Sequence, residues 1–184
     1  MFTPAQRDEM LDLAVGAIRA ALVSGEVRLP SVGSLPAYLR EPGCSFVTLR
    51  RDGQLLGCIG ALEPYQPLGH DIVEHAIAAA FRDPRFEPIT DLSGVHVEIS
   101  VLGPLREFPA ESYDDVVARL PRVGAVVSGF GRRGTFLPAV WEQLPTNETF
   151  VSGLWRKAGL QPGQWPVEIW TYEVEEFGRV VAPE

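Results

Sequence analysis

Residues 45–60, Ser45-Phe46-Val47-Thr48-Leu49-Arg50-Arg51-Asp52-Gly53-Gln54-Leu55-Leu56-Gly57-Cys58-Ile59-Gly60, decide how this chain folds. Asp52-Gly53 joins two apolar runs and suits the two positive φ angles of a type I′ turn, so the stretch predicts an antiparallel hairpin. With Asp52-Gly53 as the loop, Arg51 pairs with Gln54, Leu49 faces Leu56 and Val47 faces Cys58, because opposite partners share a face and neighbours alternate. That register groups Cys58 with Val47, Leu49 and Leu56 and turns Cys44 to the other side with Phe46, which argues against a Cys44–Cys58 disulfide. Phe46, Leu55, Ile59 and Ala61 make the second face apolar as well, so the ribbon is expected to be covered on both sides. Cys58, between two glycines, then reads as a small hydrophobe in a tightly packed sheet, since neutral neighbours give a thiolate no support.

Outward from the hairpin, helices and antiparallel strands intersperse without a regular βαβ rhythm, which indicates α+β. Thr3, Pro4 and Gln6 fit a capping box ahead of Leu11, Ala14, Val15, Ile18 and Leu22 on one helical face, and Gly25 stops that helix. Residues 26–43, rich in Pro, Gly and Ser, read as a surface linker. Leu68, Ile72, Ala76, Ala79 and Ala80 form the stripe of a second helix ending near Asp83-Pro84, with side chains small enough for close packing on a sheet. Val95, Val97, Ile99 and Val101 alternate with His96, Glu98, Ser100 and Leu102, as in a strand with one polar side. Residues 124–128 and 135–137 read as strands around a Gly-Arg-Arg-Gly turn. A helix capped by Thr146 carries Phe150, Leu154 and Ala158 up to Gly159, and residues 167–174 close the chain as a strand.

The 184 residues suit one medium domain, or one with a small subdomain, and such a size buries about 70% of its unfolded surface. Sixteen Lys and Arg against twenty-four Asp and Glu give a formal charge of −8, which repels a phosphate backbone over most of the surface. The pairs Arg50-Arg51 and Arg132-Arg133 sit at predicted turns. The longest apolar run, Ala76 to Phe81, is far too short for a bilayer, and the N-terminus lacks a signal-peptide pattern, so a soluble cytoplasmic protein is expected. Two cysteines without CxxC or Cys/His spacing fit reducing conditions and suggest no zinc. The Asn147-Glu148-Thr149 sequon would matter only in a secreted protein.

Several constellations could carry chemistry. Gly129 to Gly134 matches GxGxxG, but a strand follows it and no acidic residue stands about twenty positions on, so it reads as a hairpin tip. His70 with Glu74 and Asp71 with His75 are i,i+4 neighbours able to share a metal, although solvated pairs at a helix start read equally well. His96, Glu98 and Ser100 project from one strand face; His96 and Ser100 stand about 13 Å apart and would need a partner from elsewhere, such as Cys58. Asp83-Pro84-Arg85-Phe86 could orient an anionic ligand, or could be a helix-ending turn tied by its own ion pair.

The segments Phe46-Val47-Thr48-Leu49, Gly57-Cys58-Ile59-Gly60, Ala79 to Phe86, Glu98 to Leu102, Arg133 to Pro138 and Lys157 to Leu160 together resemble the AMMECR-type domain family. This is the family of the AMME-syndrome chromosomal-region protein and the prokaryotic AmmeMemoRadiSam system protein A, and the resemblance runs nearly the whole chain. It implies a single α+β domain over residues 1–184, with a larger and a smaller subdomain around a cleft. It also implies action beside Memo-like and radical SAM proteins, and no established activity. Carried over, its motifs make Cys58, Glu98 and Ser100 candidate catalytic residues and Gly57, Gly60, Asp83 and Arg85 candidate ligand-binding residues. No metal or cofactor is expected. Where the family motif typically reads Leu-Arg-Gly-Cys-Ile-Gly, Leu56 replaces the arginine, which weakens a thiolate mechanism; Val123 replaces a position that is often polar. The resulting expectation is an accessory or ligand-binding protein. An enzyme using Cys58 with Glu98 is the alternative, and a nucleic-acid module stands behind both.

Overall fold

The computed structural model describes residues 1–183 and divides them into two compact units. The larger comprises Met1–Leu102 with the chain from Glu175 onward, and the smaller comprises Gly103–Val174.

In the larger unit the expected capping box is present on α1 (Pro4–Ser24): the Thr3 side chain accepts from the Gln6 N–H, and Gln6 accepts from the Thr3 N–H. Gly25 ends the helix at φ 70°. The segment read as a linker is only partly one. Val32–Ser34 forms a 3-10 turn and Ala37–Arg40 a single-turn α2, which send Leu35 and Leu39 into the core. Their i,i+4 spacing across Pro36 was the sequence signal. Next come β1 (Pro42–Gly43), β2 (Ser45–Arg51), β3 (Gln54–Gly60), β4 (Gln66–Pro67), α3 (Leu68–Phe81) and β5 (His96–Leu102). The last strand, β10 (Val174–Val180), completes a sheet of order β10-β5-β2-β3, while β1 and β4 pair separately. Helices α1 and α3 cover one face of this sheet, packing Met10, Ile18, Ile72 and Ala76 against Val47, Leu49, Val97 and Ile99.

The final strand was expected over residues 167–174. It is two strands: β9 (Glu168–Tyr172) belongs to the smaller unit and β10 to the larger. Charge masked β10, because Glu175 and Arg179 point at α1. Glu175 accepts from the Phe2 N–H and pairs with Arg7 at 2.7 Å, and Arg179 pairs with Asp12.

The hairpin register holds at its turn and fails beyond it. Arg51 pairs with Gln54 and Arg50 with Leu55, but a bulge at Leu56 then shifts the strands, so Leu49 opposes Gly57, Thr48 opposes Cys58 and Val47 opposes Ile59. The cause lies on α3. A Cβ at Gly57 would stand 1.9 Å from the Ala79 carbonyl oxygen, so the residue facing the helix here has to be glycine. Leu56 and Ile59 pack against the core of this unit, and Cys58 turns to the opposite face. That face is not the apolar surface expected, for it carries Thr48, Glu98 and Ser100 as well as Phe46.

The smaller unit holds β6 (Arg106–Glu107), α4 (Tyr113–Arg119), β7 (Gly124–Gly129), β8 (Arg132–Phe136), α5 (Asn147–Lys157) and β9, with sheet order β6-β9-β7-β8. Its core stacks Trp141 on Phe150 at 3.8 Å and sets Tyr113 edge-on to Trp155. Helix α4 was unforeseen, although Ser112 caps it by accepting from the Asp115 N–H. The sequon residue Asn147 is committed to the fold, donating to the Val117 and Leu120 carbonyls. Gly129 to Gly134 is the tip of the β7–β8 hairpin.

Candidate functional site

Because α3 lies so close to β3 at Gly57, the chain leaving the helix is held against that strand, the edge of its sheet, and delivers Asp83 to Cys58. Asp83 Oδ2 accepts the Cys58 N–H at 3.0 Å, and Arg85 Nη2 donates to the Cys58 carbonyl at 3.1 Å. Arg85 also holds both carboxylate oxygens, Oδ1 through Nε at 3.0 Å and Oδ2 through Nη2 at 2.8 Å. The Asp-x-Arg turn thus closes the open edge of β3 at one residue, occupying the groups a further strand would otherwise take. The Asp83 carboxylate is 1% exposed and the Arg85 side chain 57%.

The guanidinium of Arg85, joined by the Cys58 N–H, holds the Asp83 carboxyl well below the usual carboxylate range. Its contribution to stability is complete above the unfolded value of about pH 4 and is lost as the pH falls toward the depressed folded value. Asp83→Asn should therefore cost most stability at neutral pH, and its deficit should shrink between about pH 4 and pH 2 in urea titrations. A deficit independent of pH would contradict the ion pair.

On the polar face, three strands bring the candidate residues into rows. Cys58, Thr48 and Glu98 occupy adjacent positions on β3, β2 and β5, and Gly60, Phe46 and Ser100 form the next row. Thr48 was missed from the sequence because the bulge was. Its hydroxyl, almost fully buried, donates to Cys58 Sγ at 3.2 Å. Ser100 is also buried and donates to Glu176 of β10 at 3.4 Å. Cys58 and Glu98 flank Thr48, which places their backbones about 10 Å apart. Cys58 and Glu98 are half-buried. At Gly60 a Cβ would meet the Phe46 ring at 2.3 Å, so both glycines of the motif admit neighbouring groups of the fold. Leu56 does not stand beside Cys58 as the expected register had it; the cation near this cysteine is Arg85.

Of the four residues at the start of α3, Asp71 and His75 face inward, where solvated pairs were one expectation, and His70 and Glu74 are half-buried. Asp71 is fully buried, and its Oδ2 accepts from the Ser45 N–H and hydroxyl, both at 2.7 Å, and meets His75 Nδ1 at 3.1 Å. His70 Nε2 lies 2.7 Å from the Pro30 carbonyl, and Glu74 accepts from Tyr65 and Gln66. Asp71 and His75 thus pair with each other while His70 and Glu74 serve separate partners, and among the described residues no three His, Cys, Asp or Glu side chains are grouped to hold a metal. Among the same residues no helix is long and apolar enough to cross a membrane.

An α+β protein with a Gly-Cys-Ile-Gly edge strand, clamped at its cysteine by an Asp-x-Arg turn, is the class this fold and site define. The chain belongs to the AMMECR1 family, whose sequence model matches residues 11–177. A protein of Methanothermobacter thermautotrophicus is 37% identical over 174 residues, covering 88% of each chain. One from Thermotoga maritima is 36% identical over 145 residues, covering 76% of this chain and 79% of that one. The crystal structure of an uncharacterized protein from Pyrococcus horikoshii superposes with a TM-score of 0.79 at 28% identity, covering 95% of this chain and 92% of that one.

Proposed function

We propose that this protein is an accessory component that presents the polar face of its larger sheet to a small ligand or a partner, acting with Memo-like and radical SAM proteins. The observation that carries the reading is the arrangement around Cys58. Its sulfur is engaged by the Thr48 hydroxyl, Glu98 stands two strands away, beyond the reach a general base needs, and the Asp83 carboxylate beside it is committed to the Cys58 N–H and to Arg85. Glu98 supports a binding role, being half-buried with no hydrogen-bond or ion-pair partner among the described residues. The choice of partners rests on the family resemblance. Affinity purification from native cells under mild conditions is expected to retain a Memo-like or radical SAM protein, and to lose it with Glu98→Gln. Repeated failure to retain either protein removes the support for the partnership.

One observation favours the second reading, an enzyme with Cys58 as nucleophile: a hydroxyl donor and the Arg85 guanidinium both lie at this cysteine. Faster labelling of Cys58 than of Cys44 does not test it, since burial, with Asp71 and Glu63 nearby, pushes the Cys44 thiol up to about 11. The informative comparison is with a cysteine in an unstructured peptide. A nucleophilic Cys58 is alkylated faster than that peptide at neutral pH, and slower alkylation sinks the enzyme reading.

A further inference from the structure

Two hairpin turns in this molecule adopt the same backbone shape with very different residues. Asp52 and Gly53 have φ of 51° and 78°, and Phe130 and Gly131 have φ of 55° and 70°. Asp-Gly is what such a turn selects, because glycine has no Cβ and aspartate tolerates the left-handed region. A phenylalanine there is strained. Burial does not account for it. Phe130 is 54% exposed and belongs neither to the core of the smaller unit nor to the half-buried residues packed on that core.

The surroundings of the ring differ in charge from the rest of the protein. At the tip itself Arg132 and Arg133 follow the turn, with Glu168 opposite Ser128 as the acidic residue of the neighbouring strand, whereas Arg122 precedes the far end of β7 and Arg119 is paired with Asp115. The smaller unit carries seven Lys and Arg against eight Asp and Glu, compared with nine against sixteen in the remainder. Exposed Arg132, the first residue after the turn, donates to the Gly159 carbonyl at 2.7 Å, tying the tip of the hairpin to the end of α5, where Arg156 and Lys157 are exposed. Arg133 lies over the Trp170 ring, 5.9 Å from its centroid.

We propose that the tip of the β7–β8 hairpin docks an acidic protein segment, with Phe130 packed on an apolar residue of that segment and Arg132 facing its carboxylates. A strained, half-exposed aromatic ring beside cations has the make-up of an interface anchor rather than of a turn. The remainder of the chain, with nine Lys and Arg against sixteen Asp and Glu, has no comparable share of cations to offer a long polyphosphate strand.

The test is selection of a random peptide library on the intact protein, with counter-selection on Phe130→Asn. Acidic peptides bearing an apolar residue should be enriched. Their binding should weaken at least tenfold in Phe130→Asn and in Arg132→Glu, and should fall with added salt. Phe130→Asn should also raise the thermal midpoint by about 2–4 °C, because asparagine fits the turn. Enrichment of nothing, or of neutral or basic peptides, overturns the proposal. So does tighter binding of a single-stranded oligonucleotide than of the selected peptides. A lower midpoint for Phe130→Asn would overturn it as well, by making the ring a residue of the fold.

Discussion

Gly57→Ala is expected to destabilise the protein by at least about 3 kcal/mol, or to prevent folding outright. The added methyl would stand 1.9 Å from the Ala79 carbonyl oxygen, and neither neighbour is a side chain that can swing aside. Relief requires α3 to move off β3. Such a movement withdraws Asp83 from the Cys58 N–H, so the loss should appear together with faster hydrogen exchange at the Cys58 amide. Equilibrium unfolding in urea reads the first effect and amide exchange the second. A Gly57→Ala protein of near-normal stability would mean that α3 does not rest on this strand as described.

Asp71→Ala should rank next, at about 3 kcal/mol, because one buried carboxylate oxygen serves three groups. Its removal leaves the Ser45 N–H and hydroxyl and the His75 ring without their acceptor, each at a cost of about 1–3 kcal/mol when no other partner is reached. Asp71→Asn should lose less, because its amide oxygen can still accept from Ser45. Equal losses in the two variants, or a loss below about 1 kcal/mol for Asp71→Ala, would contradict the buried hub.

The range of the forces involved sets how much of this was legible in the sequence. Caps and turns are local, so the Thr3 and Thr146 caps and the Asp52-Gly53 turn were readable residue by residue. The alternation of β5 was readable too, because Val97 and Ile99 are fully buried while His96 and Glu98 are not. The bulge at Leu56 was not, since it is imposed by a helix that contacts the strand from more than twenty residues on in the chain. A glycine inside a strand pattern was the available sign of such an approach. Missing it turned Cys58 to the wrong face and hid Thr48. Strand β10 was concealed for a related reason: its charges, Glu175 and Arg179, are paired with Arg7 and Asp12 of α1, at the other end of the chain. Asp83 and Arg85 could be seen as a pair, but the Cys58 backbone between them belongs to the tertiary fold.

The polar face exists only in the shifted register, which places Cys58 opposite Thr48, and cross-linking reads that register. In a Cys44→Ala background, Thr48→Cys should form an intrachain disulfide with Cys58 on mild oxidation, since opposite positions of an antiparallel pair lie within disulfide reach. Val47→Cys in the same background should not, because its side chain points to the helix-covered face. A disulfide formed by Val47→Cys and refused by Thr48→Cys would restore the unbulged hairpin and contradict the site built on it.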